Sequence, residues 1–75
     1  MKFIRYDRHA KRRMKEREVT EEEAEMAINN PDYIEPTIKN AYKFIGSRFV
    51  RVTFKEEPEN ILVITVTVRK RPFRG

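Results

Sequence analysis

The 75 residues predict an α+β fold: a short opening strand, two helices, then a run of antiparallel strands with both helices on one face of the sheet. Three observations carry it. Behind Asp7, Ala10 and Met14 recur at helical spacing within a basic run. Thr20 and Glu23 form a capping box ahead of a second amphipathic stretch. After Pro31 the apolar period falls to two. The expected order is βααβββ(β), with three to five antiparallel strands in one domain over residues 1–75, of which 70–75 are a basic C-terminal tail.

Lys2 to Tyr6 has the alternation of a short strand, and Asp7 reads as the N-cap of a helix near residues 8–18. Its carboxylate can accept hydrogen bonds from the first free amides. The second helix, near 20–30, begins at Thr20, with Val19 and Ala24 at the positions of a hydrophobic staple. Glu21, Glu22 and Glu23 fill the first turn, where the helix dipole favours negative charge, and this capping role accounts for them without a metal. Ala24, Ala27 and Ile28 mark its buried face, small enough to let the two helices approach, and Asn29-Asn30-Pro31 ends it.

Tyr33–Glu35 and Ala41–Ile45 read as strands, and Gly46-Ser47 as a tight turn into a strand near 48–55. After the loop Glu56-Glu57-Pro58-Glu59-Asn60 the last strand runs near 60–69. Alternation places Val50, Val52 and Phe54, then Leu62, Ile64, Val66 and Val68, on the core side, with Tyr42 and Phe44 joining them. The other side carries Phe49, Arg51, Thr53 and Lys55 on one strand and Ile61, Val63, Thr65, Thr67 and Arg69 on the next. Apolar members there call for a cover: the tail from Arg69 to Arg74 folded back, or a partner chain. The tail also reads as a basic arm that tracks phosphates.

Cysteine is absent, so the chain has no disulfide, no thiolate nucleophile and no cysteine-ligated zinc. No apolar run approaches the roughly 18 residues of a membrane span, and a soluble cytoplasmic protein without cofactor or metal is expected. The net charge of +5 is laid out in blocks: residues 1–17 carry +6, 18–35 carry −7 and 36–75 carry +6. Such segregation predicts a polyanion-binding side and a separate acidic side.

His9, Arg13 and Arg17 stand at i, i+4 and i+8 and share one helical stripe beside Ala10 and Met14. That stripe lies at the rim of the buried face, where a guanidinium is held by packing and still meets an anion.

The stretch His9-Ala10-x-x-Arg13-Met14-x-Glu16-Arg17-x-Val19-Thr20-x-x-Glu23, followed by Ala27-Ile28-Asn29-Asn30-Pro31, resembles an uncharacterised prokaryotic domain family with an H-A-x-x-R-M-x-E-R-G-[IV]-[ST] opening. Arg48-Phe49-Val50-Arg51-Val52 and Val63-Ile64-Thr65-Val66 extend the resemblance over almost the whole chain. That family is similar to the RelE/ParE and BrnT toxins, small basic proteins of toxin-antitoxin pairs with a βαα-sheet fold. RelE-like members cut messenger RNA without metal, and ParE-type members poison gyrase. The resemblance therefore implies a toxin, a cognate antitoxin, and RNA as target, with messenger RNA on the ribosome one form of it. Two positions depart from the pattern: Glu18 stands where the family usually has glycine, and Thr67 lies in a closing strand that often ends T-V-Y.

In a metal-independent endoribonuclease the 2′-hydroxyl attacks its own phosphodiester, which requires a base, cations at the phosphorane and an acid for the leaving oxygen. His9 is the candidate base, with Arg13 and Arg17 as clamps. Lys43, Arg48, Arg51, Arg69, Lys70 and Arg71 are the candidate RNA-binding set. Two other functions fit the same residues: a non-catalytic RNA-binding domain, and a toxin that binds an enzyme. In these, His9 bonds across the helix-sheet junction and Arg13 and Arg17 pair with second-helix glutamates. Convergence of His9 with two cations on an open cleft separates the first function from the others.

Overall fold

A computed structural model describes residues 3–35, 37 and 39–69. The order is β1 (Phe3–Tyr6), α1 (Arg8–Arg17), α2 (Glu21–Asn29), β2 (Tyr33–Glu35), β3 (Asn40–Ile45), β4 (Arg48–Glu56) and β5 (Asn60–Arg69). The five strands form one sheet in the order β1-β5-β4-β3-β2. From β2 to β5 the chain is an antiparallel meander, but β1 joins β5 in parallel, with Ile4 opposite Ile61 and Tyr6 opposite Val63. The sheet is thus mixed, not antiparallel as the sequence pattern suggested. Alternation fixes which face a side chain takes and carries no information about strand direction, which here is set by the two helices crossing between opposite edges of the sheet.

The helix boundaries follow their caps. The His9 amide donates to Asp7 Oδ1 at 3.2 Å, and the Glu23 amide donates to Thr20 Oγ1 while the Thr20 amide donates to Glu23 Oε1. Between the helices Glu18 has φ 58° and ψ 45°, the left-handed conformation. The Val19 amide reaches the Met14 carbonyl at 2.8 Å and the Glu18 amide reaches Lys15 at 3.3 Å, which is a Schellman turn with Glu18 in the place glycine usually takes. Val19 and Met14, the pair that closes such a turn, are both buried.

One core lies between helices and sheet. Ala10 and Met14 of α1 pack with β5 and β1, and Ala24 and Ala27 of α2 with β3 and β4. The alanines seat α2 on the sheet, and contact between α1 and α2 is slight, contrary to the expected close helix pair. Val50, Val52, Val63 and Val66 are fully buried beneath them, each contributing about 1.5–3 kcal/mol through lost contact with water.

Two face assignments change. The pairing of β4 with β5 shifts at Thr53/Phe54, so that Thr53 faces Thr65 but Phe54 faces Val63. This irregularity leaves Ile64 without a place in the alternation: Val63 is in the core with Val66 and Val68, Ile64 is exposed, and Leu62 pairs with Lys55 away from the core. Second, the two-residue turn at Gly46-Ser47 pairs Ile45 with Arg48, hence Phe44 with Phe49 and Tyr42 with Arg51. Tyr42 and Phe44 therefore lie with Phe49 and Arg51 on the face that the helices leave open, not in the core. No helix among the described residues is long and apolar enough to cross a membrane.

Candidate functional site

The helix stripe is formed but does not build a site. His9 is exposed in the first turn of α1, and Arg17 is exposed at its end, about 12 Å along the axis at 1.5 Å per residue. Arg13 donates to Glu16 Oε1 at 3.2 Å within its own helix, where Arg12 also meets Glu16 at 3.5 Å. Neither Arg13 nor Arg17 takes a second-helix glutamate. That role belongs to Arg48, whose Nη2 donates to Glu23 Oε2 at 2.7 Å and whose Nη1 donates to the Glu18 carbonyl at 2.8 Å. Arg17 and Arg48 line a cleft of about 570 Å³ with Glu18, Ser47 and Val68, and His9 is not among its walls.

Lys43 faces the helix side opposite Val50, with its ammonium 3.8 Å from Asp32. Of the six candidate RNA-binding cations, Arg51 and Arg69 lie on the open face; Lys70 and Arg71 fall outside the described residues. The sheet separates Arg51 and Arg69 from the His9 stripe.

The open face has its own organisation. Tyr42 and Phe49 stack with centroids 5.4 Å apart and planes at 21°. Phe44 tilts against Phe49 at 4.6 Å, and Tyr33 against Tyr42 at 5.5 Å, giving a four-ring row across β2, β3 and β4. Beside it, Arg51 donates from Nη2 to Thr67 Oγ1 at 3.2 Å, while its Nε is buried with no hydrogen-bond partner among the described residues. Tyr42 and Phe49 form walls shared by two hollows. One, of about 410 Å³, is completed by Asp32, Tyr33, Glu35 and Phe44; the other, of about 100 Å³, by Arg51, Thr67 and Arg69.

Glu35 anchors the row. Its Oε1 accepts from Asn40 Nδ2 at 3.0 Å and from the Tyr42 hydroxyl at 2.8 Å, and Thr53 Oγ1 donates to Asn40 Oδ1 at 2.5 Å. The Asn40 and Tyr42 hydrogen bonds hold the Glu35 carboxyl below the usual glutamate range. Burial, then the bond to Glu35, pushes the Tyr42 phenol up. Tyr6, at the junction of β1 and α2, is raised as well, by burial first and then by Glu25 and Glu21.

Residues 6–68 match the family described as domain of unknown function (DUF4258). The chain belongs to that family. The match runs from the end of β1 through all but the last residue of β5, and so takes in both the helix stripe and the open face. No curated protein and no solved structure matches the chain significantly.

In this DUF4258 chain the sequence reading missed Tyr33, Tyr42, Phe44 and Glu35 as members of a surface site. The signal was present for Phe44: with Phe49 placed on the outer face, a two-residue turn at 46–47 requires Phe44 beside it. Nothing comparable marked Glu35, whose neighbours are set by the pairing of β2 with β3.

Proposed function

We propose that this chain is an RNA-binding protein, of the toxin-like kind its opening motif resembles, and that RNA lies on the open face of the sheet. One observation carries the reading: the Tyr42–Phe49 stack is bordered by Arg51 and Arg69 on a face that the helices do not cover. Aromatic rings on a sheet accept bases from a single strand whatever their sequence, and the adjacent guanidiniums meet its phosphates. Arg51 suits this role because the bond from Nη2 to Thr67 fixes the plane of its guanidinium, and a planar fork of donors matches a phosphate.

Binding does not require His9, and the dispersal of His9, Arg13 and Arg17 along α1 favours binding over cleavage by those residues. The test is titration of a labelled single-stranded RNA with the wild-type chain and with Arg51→Met. Wild type should bind and the variant should bind more weakly at equal melting temperature. Absence of binding at low salt would remove RNA as the ligand and leave this face to a protein such as an antitoxin.

A further inference from the structure

The open face is divided in a way that a uniform RNA platform would not be. Around Arg51, Thr67 and Arg69 it is cationic, but across the shared Tyr42–Phe49 wall the larger hollow has Glu35 and Asp32 at its margin and rings on its sides. No cation lines this hollow among the described residues, and its carboxylates are only neighboured by Lys43 and Arg51, so a phosphate is better placed beside Arg51. A polyanion crossing the face therefore has to place a neutral, flat group in the acidic half, and a nucleobase is the group that fits. Strands lie about 4.8 Å apart, and Arg51 on β4 is directly opposite Tyr42 on β3, so the cation stands at the edge of the hollow, where the phosphate next to a seated base would lie.

The carboxylates decide which base. Asp32 is engaged in the fold: Oδ2 accepts the Phe44 amide at 2.8 Å and Oδ1 faces Lys43. Glu35 receives both Asn40 and Tyr42 on Oε1, so Oε2 has no donor among the described residues. An ionised carboxylate only accepts hydrogen bonds. Uracil presents a single N–H between two carbonyl oxygens, and adenine and cytosine each present an amino group next to a bare ring nitrogen, so all three bring lone pairs toward the charge. Guanine alone offers two adjacent donors, N1–H and the 2-amino group. We propose that the hollow lined by Tyr33, Glu35, Tyr42, Phe44 and Phe49 is a guanine-selective base pocket, with Glu35 Oε2 accepting from the guanine Watson–Crick edge and Arg51 taking the neighbouring phosphate. The inference rests on the RNA-binding reading above and adds a base preference to it.

The experiment measures affinities of the wild-type chain by fluorescence anisotropy for five oligouridine hexamers that differ at one internal position: guanosine, inosine, adenosine, cytidine or uridine. Guanosine should bind tighter than uridine by on the order of tenfold, as an added pair of base contacts gives. Inosine, which lacks only the 2-amino group, should fall between them. Glu35→Gln, assayed well below its own melting transition, should erase the advantage of guanosine. Equal affinity for all five oligomers overturns the pocket and leaves RNA binding standing. No binding to any of them overturns both readings. The inosine comparison uses only wild-type protein, so it decides the matter even if Glu35→Gln fails to fold.

Discussion

Arg48 at the start of β4 and Glu23 in the first turn of α2 meet at 2.7 Å, and the same guanidinium holds the Glu18 carbonyl where the two helices join. Glu23 is thereby used twice: one oxygen closes the capping box on Thr20, the other takes Arg48. Both side chains are mostly shielded from water, 28% and 20% exposed, so the pair is worth more than a surface ion pair. Arg48→Ala should cost about 1.5–3 kcal/mol, the worth of hydrogen bonds to charged groups, and lower the melting temperature by about ten degrees in so small a domain. RNA affinity should not change. Thermal melts and an RNA titration on the same variant check both halves.

This pair also gives the acid limb of stability a direction. Glu23 is held below the usual range by the Thr20 amide first and then by Arg48, and Glu35 by Asn40 and Tyr42. A folded-state pKa below the unfolded one means that the unfolded chain binds protons more readily, so the stabilisation is present above the ordinary glutamate value of about 4.3 and is lost as pH falls through and below it. Melting temperature should be flat from about pH 7 to about pH 5.5 and fall towards pH 3. Glu23→Gln should start lower at neutral pH and fall less steeply on acidification, which melts across the pH range would record.

Helices and strands were legible because capping and alternation are local: Asp7, the Thr20/Glu23 box, Pro31 and the Gly46 turn all act where they stand. Non-local pairing was not. The direction of β1 depends on how two helices cross the sheet, and the face of Leu62 and Ile64 depends on the register shift at Thr53/Phe54, which no residue in either strand announces. The site followed the same division. The His9–Arg13–Arg17 stripe was visible because it lies on one helix, whereas Glu35, Tyr42, Phe49 and Arg51 come together only when three strands are in register.

Two backbone positions should respond in opposite senses to substitution. Glu18 holds φ 58° without being glycine, a conformation that costs an L-residue roughly 1 kcal/mol, and its contact with Arg48 is through the carbonyl, which any residue supplies. Glu18→Gly should therefore raise the melting temperature by a few degrees. Gly46 has φ 62°, with open space where a Cβ would lie, so Gly46→Ala should lower stability by about 1 kcal/mol through backbone conformation alone. Denaturant melts of the two variants, read as midpoint shifts at constant slope, measure both.

Salt dependence tests whether phosphates are contacted. If several are, affinity for single-stranded RNA should fall at least tenfold, as an order of magnitude, between about 50 and 200 mM salt. Removing one phosphate contact by Arg51→Met should lower the slope of log affinity against log salt by about 0.7, the value expected for a single strand. Tyr42→Leu, which removes a ring and no cation, should weaken binding with the slope retained. A slope unchanged in Arg51→Met would place the phosphates elsewhere.

The helix stripe and the open face can be separated by variants on opposite sides of the sheet. His9 and Arg17 are exposed, and truncating them empties no core site, so His9→Gln and Arg17→Lys should leave the melting temperature unchanged. With RNA on the open face, both should also leave RNA affinity unchanged, in contrast to Arg51→Met. A ribonuclease that uses His9 as base and Arg17 as phosphorane clamp behaves differently: the two variants still bind RNA but lose cleavage, and the wild-type protein yields fragments ending in 2′,3′-cyclic phosphate in the presence of chelator. Arg17→Lys is informative because lysine keeps the charge and loses the two-pronged fork that a phosphorane needs. Gels of RNA incubated with each variant, with ribosomes supplied in one series, read cleavage, and the titrations read binding. The expected result is intact RNA with His9→Gln and Arg17→Lys indistinguishable from wild type in affinity; cleavage by the wild type that both variants abolish would move the active centre to α1.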